Sequence, residues 1–62
     1  MNIIKVFRSP ADSTGGRSLI IKYDSNYNFS FSETDDAKEK YKSHWNDIQA
    51  WVSAGNTIEE QN

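Results

Sequence analysis

Residues 19–31, LIIKYDSNYNFSF, decide the fold. Two runs of alternating apolar side chains, Leu19 to Tyr23 and Tyr27 to Phe31, flank a polar Asp24-Ser25-Asn26. Strand side chains alternate between faces, so the length of the connection sets which residues share a face. A two-residue loop, Ser25-Asn26, pairs Tyr23 with Asn28 and sets Leu19, Ile21 and Tyr23 opposite a polar row. A three-residue loop pairs Tyr23 with Tyr27, Ile21 with Phe29 and Leu19 with Phe31. All six large side chains then lie on one face, and Asn26 takes the left-handed position that such loops require. The alternation therefore predicts a hairpin over 18–31 with the three-residue loop, with Ile20, Lys22, Asn28 and Ser30 on the solvated side.

After Phe31 the period changes from two to 3.6. With Ala37 as origin, Ala37, Tyr41, His44, Trp45, Ile48, Trp51 and Val52 fall within an arc of roughly 120°. This is the pattern of one long amphipathic helix over 33–55. Ser32, Thr34 and Asp35 offer capping oxygens, and Glu33, Asp35 and Asp36 suit the positive end of the helix. Gly55 stops it; in the tail 56–62, Asn56-Thr57 turns the chain away, Ile58 is expected to fold back on the last turn, and Glu59 to Asn62 to fray.

Before the hairpin, Ile3 to Arg8 reads as a first strand (1–8). Simple alternation puts Ile3, Lys5 and Phe7 on one side and Ile4, Val6 and Arg8 on the other. Pro10 ends it, and residues 9–17 form a polar loop. Gly15-Gly16 serves a turn there: no GKS, GKT or G-x-G-x-x-G context supports phosphate binding.

The expected fold is a single α+β domain in the order β-β-β-α. A small three-stranded antiparallel sheet carries one long C-terminal helix packed across it. A chain of 62 residues without cysteine has no disulfide to support so small a core, which leaves helix–sheet packing and oligomerisation. On this parity Ile4, Val6 and Ile20 stay apolar on the second face of the sheet and invite a partner, a homodimer or ring.

The net charge is -2 and is unevenly spread. Lys5, Arg8, Arg17 and Lys22 outnumber Asp12 and Asp24 in the first half. In the second half Lys38, Lys40 and Lys42 face Glu33, Asp35, Asp36, Glu39, Asp47, Glu59 and Glu60. No broad basic surface for a phosphate backbone follows, so nucleic acid is disfavoured as the main partner. The opening MNIIKVF is too short and strand-like to read as a signal peptide, and no apolar run matches a membrane span.

No motif supplies catalysis. His44 is the sole imidazole; Asp47 lies three residues on, but no nucleophile follows by local spacing. The carboxylates at 33–36 read as caps, and Tyr41, Trp45 and Trp51 as anchors. The expectation is a non-enzyme without cofactor or metal site. Its interaction candidates are Ile4, Val6 and Ile20 on the sheet, and the acids Glu33, Asp35, Asp36 and Asp47.

Residues 45–60, WNDIQAWVSAGNTIEE, resemble a pattern found in small phage- and prophage-encoded proteins, including tail-associated ones. The pattern is an aromatic helix closing on Ala-Trp-aliphatic and then Gly-Asn-Thr, matched here by Ile48, Ala50, Trp51, Val52, Ala54, Gly55, Asn56, Thr57 and Glu59. Ile58 stands where proline is usual. The resemblance implies phage origin and a place in the virion or host cytoplasm, with another phage protein or a host protein as partner. Three roles remain open: a virion or tail-associated component, an infection-stage inhibitor docking through an acidic and aromatic surface, and a small nucleic-acid-binding regulator.

Overall fold

The hairpin register expected from side-chain parity is present in the computed structural model, which describes residues 2–24 and 26–61. Strand β1 (Ile3–Arg8) pairs antiparallel with β2 (Ser18–Tyr23), which pairs antiparallel with β3 (Asn28–Ser32). Leu19 lies opposite Phe31 and Ile21 opposite Phe29. The Tyr23 N–H donates to the Tyr27 carbonyl at 2.9 Å, closing the turn. Asn26 adopts φ 62°, the left-handed conformation that asparagine tolerates better than most residues. Ser25, the centre of the expected loop, lies outside the described residues, as do Met1 and Asn62.

Three features correct the expected architecture. The sheet has four strands, ordered β3-β2-β1-β4, and it is mixed, because Glu59–Glu60 form a short strand β4 parallel to β1. Gly55, at φ 104°, turns the chain out of the helix. Ile58 then packs against the core, and the Gln61 N–H reaches the Arg8 carbonyl at 2.8 Å. Glu59 to Gln61, expected to fray, are thus held along β1. A two-residue strand of glutamates shows no period, so nothing local announces it.

Second, the expected single helix is two: α1 (Asp35–Lys40) and α2 (Lys42–Ser53), joined at Tyr41. Tyr41 has φ -110° and ψ 43°, outside the helical range. No proline or glycine lies near it. Its ring packs edge-on against Phe29 with centroids 5.2 Å apart, and against Phe31 at 5.9 Å. The break thus coincides with a tertiary anchor, which lets α1 pack on β3 and α2 on β1. Ala37, Tyr41, Trp45, Ile48 and Trp51 of the expected arc all meet the core, whereas Val52 is 40% exposed.

Third, a β-bulge interrupts β1 between Ile3, opposite Tyr23, and Lys5, opposite Lys22. The extra residue reverses the parity of everything before it. Ile3 and Val6, three positions apart, therefore both face the helices. Val6 is completely buried, which removes it from the expected second-face patch. It forms the core with Leu19, Ile21, Tyr23, Phe31 and Ile48. Ile4, in the bulge, remains exposed.

The ends of α1 and α2 follow local rules. Thr34 Oγ1 accepts from the Ala37 N–H at 3.2 Å, which selects Thr34 among the candidate caps. At the other end, Asn56 Nδ2 donates to the Trp51 carbonyl at 2.8 Å. No helix among the described residues is long and apolar enough to cross a membrane.

Candidate interaction surface

Both helices lie on one side of the sheet, because the large side chains of the hairpin face one way. The other side is open. By register, Lys5 and Phe7 of β1, Ile20 and Lys22 of β2, and Asn28 and Ser30 of β3 lie on it. Phe7 and Ile20 sit directly opposite each other and are half-buried. Lys5 and Lys22 are also opposite each other and exposed. Lys5 Nζ lies 3.6 Å from a Glu59 carboxylate oxygen, an exposed pair that contributes little to stability. The apolar centre of the open face is therefore Phe7 and Ile20, because the pairing of residues 5–8 turns Val6 to the helices and Phe7 to the open side. Parity puts Val6 and Phe7 on opposite faces but does not say which of them meets the core.

The sequence candidates separate by environment. Glu33 is not a free docking acid. Its carboxylate accepts from Arg8 Nε and Nη2, both at 2.9 Å, in a two-pronged pair whose side chains are 27% and 20% exposed. Arg8 Nη1 also donates to Glu60 at 2.9 Å, and Arg17 Nη2 bonds the other oxygen of that carboxylate. Arg17 Nε donates to the Ser9 carbonyl at 2.8 Å. This cluster joins β1, the loop before β2, the turn between β3 and α1, and β4. Hydrogen bonds to Glu33 and Glu60 raise the Arg8 pKa, and those from Arg17 and Arg8 lower that of Glu60. Asp35 and Asp36 are exposed in the first turn of α1.

Asp47 belongs to a third cluster. Tyr23 Oη lies 2.8 Å from His44 Nδ1 and 3.3 Å from an Asp47 carboxylate oxygen. The His44 ring stacks on Phe29, centroids 3.9 Å apart at 13°. Tyrosine, histidine and aspartate together invite a catalytic reading, but the geometry opposes it. Tyr23 is 1% exposed, and burial followed by the Asp47 charge pushes its pKa up to about 12. An activated tyrosine needs the opposite shift and access to a substrate. The arrangement acts as a clamp between hairpin and α2.

The Gly15-Gly16 turn is organised by a residue that sequence reading passed over. Asp12 Oδ1 accepts from the Thr14 N–H, the Thr14 hydroxyl and the Gly16 N–H at 2.7–2.9 Å. These bonds lower the Asp12 pKa, led by that from the Thr14 hydroxyl. The amides that would cradle a phosphate are thereby occupied by the chain's own carboxylate.

A second apolar feature lies on the helix side. Trp45, Ile48, Gln49, Val52, Ser53 and Ile58 line an open groove of about 520 Å³. Among the described residues no cluster of three or more His, Cys, Asp or Glu side chains is placed to hold a metal ion. No protein-family model, curated protein or solved structure matches the chain.

Proposed function

We propose that the protein is a non-enzymatic phage or prophage protein that acts through protein–protein contact, as a virion or tail-associated component. The observation that carries the contact reading is the open sheet face, where Phe7 and Ile20 form an apolar pair next to the Lys5–Lys22 pair. Apolar side chains with a polar surround are the usual composition of a contact surface. The phage part rests on the resemblance of residues 45–60 to small phage proteins.

The inhibitor reading draws on an acidic docking surface. With Glu33 bound to Arg8, Glu60 to both arginines and Glu59 beside Lys5, that surface reduces to Asp35, Asp36, Glu39 and part of Asp47. The nucleic-acid regulator has less support still. Arg8 and Arg17 are held by carboxylates, leaving Lys5 and Lys22 as the cations gathered on the open face.

Affinity capture from infected cells, set beside mass spectrometry of purified particles, tests the reading. Stoichiometric presence in particles with capture of another phage protein is the expected result. Absence from particles, with salt-sensitive capture of one host protein, overturns it in favour of the inhibitor.

A further inference from the structure

Strand β3 ends the sheet, and hydrogen bonds beyond both its ends set its backbone phase. The Tyr23 N–H donates to the Tyr27 carbonyl at 2.9 Å, and the Glu33 N–H to the Arg17 carbonyl at 2.8 Å. Bonded and non-bonded pairs alternate along an antiparallel ladder. Phe29 and Phe31 therefore turn their backbone groups inward, to Ile21 and Leu19. Asn28, Ser30 and Ser32 turn theirs outward, past the edge of the sheet. Natural edge strands are normally blunted by lysine, proline, a bulge or a covering element. The stretch 28–32, NFSFS, has no charge and no proline, and it pairs with β2 without a register shift.

The strand is also matched to itself. A two-fold axis at Ser30 sets Ser30 against its own copy, Asn28 against Ser32 and Phe29 against Phe31. The outward N–H and C=O groups of Asn28, Ser30 and Ser32 then fall in bonded positions. Phe29 and Phe31 fall in the non-bonded positions, where opposed backbones approach most closely, with Phe29 half-buried and Phe31 already packed in the core. No like charges meet within the five-residue pairing. A second copy supplies an uncharged strand of the same length and matching hydrogen-bond phase.

We infer that β3 pairs antiparallel with β3 of a second copy of this chain about a two-fold axis at Ser30, joining two four-stranded sheets into one. The pairing rests on the contact reading above and deepens it by naming a partner and a strand. It also makes the open face continuous across both copies, doubling the Phe7–Ile20 surface offered to a further protein.

The test uses the purified full chain, with no other protein present, so that its failure is separate from the outcome of the capture experiment. Mass is measured by light scattering over a roughly hundredfold dilution. Wild type is expected to move from twice 7.1 kDa toward 7.1 kDa as it is diluted. Ser30→Pro removes an outward N–H that β2 does not use, and Ser30→Lys places two like charges on the axis. Both are expected to stay at monomer mass with an unchanged circular dichroism spectrum, whereas Ile20→Ser on the open face keeps the dimer. If either Ser30 variant misfolds, intermolecular contacts between Phe29 and Phe31 in a mixed isotope-labelled wild-type sample decide instead. A wild type that stays monomeric, a dimer that folded Ser30→Lys leaves intact, or absent Phe29–Phe31 contacts overturns the pairing.

Discussion

Tyr23 Oη and His44 Nδ1 lie 2.8 Å apart, so the sole imidazole of the chain fastens the end of β2 to the helix layer. The hydroxyl is also 3.3 Å from Asp47, and its own ring is 1% exposed. Tyr23→Phe keeps the ring and removes both bonds. It is expected to lower stability by about 1–2 kcal/mol at neutral pH, read by urea denaturation.

The same hydroxyl sets an alkaline limit. Its pKa rises from 10.0 to about 12 on folding, so the folded chain holds this proton more tightly than the unfolded chain. The contribution is complete below pH 10 and is lost as pH rises toward about 12. Stability measured across that range should fall for wild type, and more gently for Tyr23→Phe. Equal slopes would mean that Tyr23 ionises as easily folded as unfolded.

Hydrogen bonds from Arg17 and Arg8 lower the Glu60 pKa, so its contribution holds above the unfolded value and disappears as pH falls below about 4.5. Strand β4 should therefore loosen first in acid. Exchange of the Gln61 amide, bonded to the Arg8 carbonyl at 2.8 Å, reports it directly. Glu60→Gln should show the faster exchange already at neutral pH, with the β2–β3 amides unaffected.

The bulge in β1 makes opposite forecasts for two neighbouring aliphatics. Val6 is completely buried and Ile4 is 49% exposed. Val6→Ala should cost about 2 kcal/mol through lost burial and the space left behind. Ile4→Ala should stay within about 0.5 kcal/mol. Thermal unfolding of the two variants is enough to compare them, and a reversed order would put the bulge elsewhere.

Asn26 holds φ 62° at the hairpin turn. Asn26→Ala should destabilise by about 1 kcal/mol, because a Cβ without a local hydrogen-bonding group is disfavoured there. Asn26→Gly should be neutral or slightly stabilising. The pair separates a backbone requirement from a lost side-chain contact.

What could be read from the chain alone depended on neighbours in sequence. Alternation on either side of Asp24–Asn26 determined the register that brings Leu19 to Phe31 and Ile21 to Phe29. The change of period after Phe31 located the helical segment, the Thr34 cap was among its local signals, and Gly55 marked its end. Each follows from the fixed spacing of side chains along one strand, one helix or one turn. The bulge, the break at Tyr41 and β4 have no such local signature. Tyr41 leaves the helix where its ring meets Phe29 and Phe31, and Val6 is buried because pairing sets it opposite Ile21 on the helix face. Glu33 and Glu60 become internal ties because Arg8, 25 and 52 residues away, reaches both. Local period sets which way a side chain leaves its own element. Which distant group it meets is decided only when the elements pack, because burial and ion pairing then outweigh the small preferences of the local backbone.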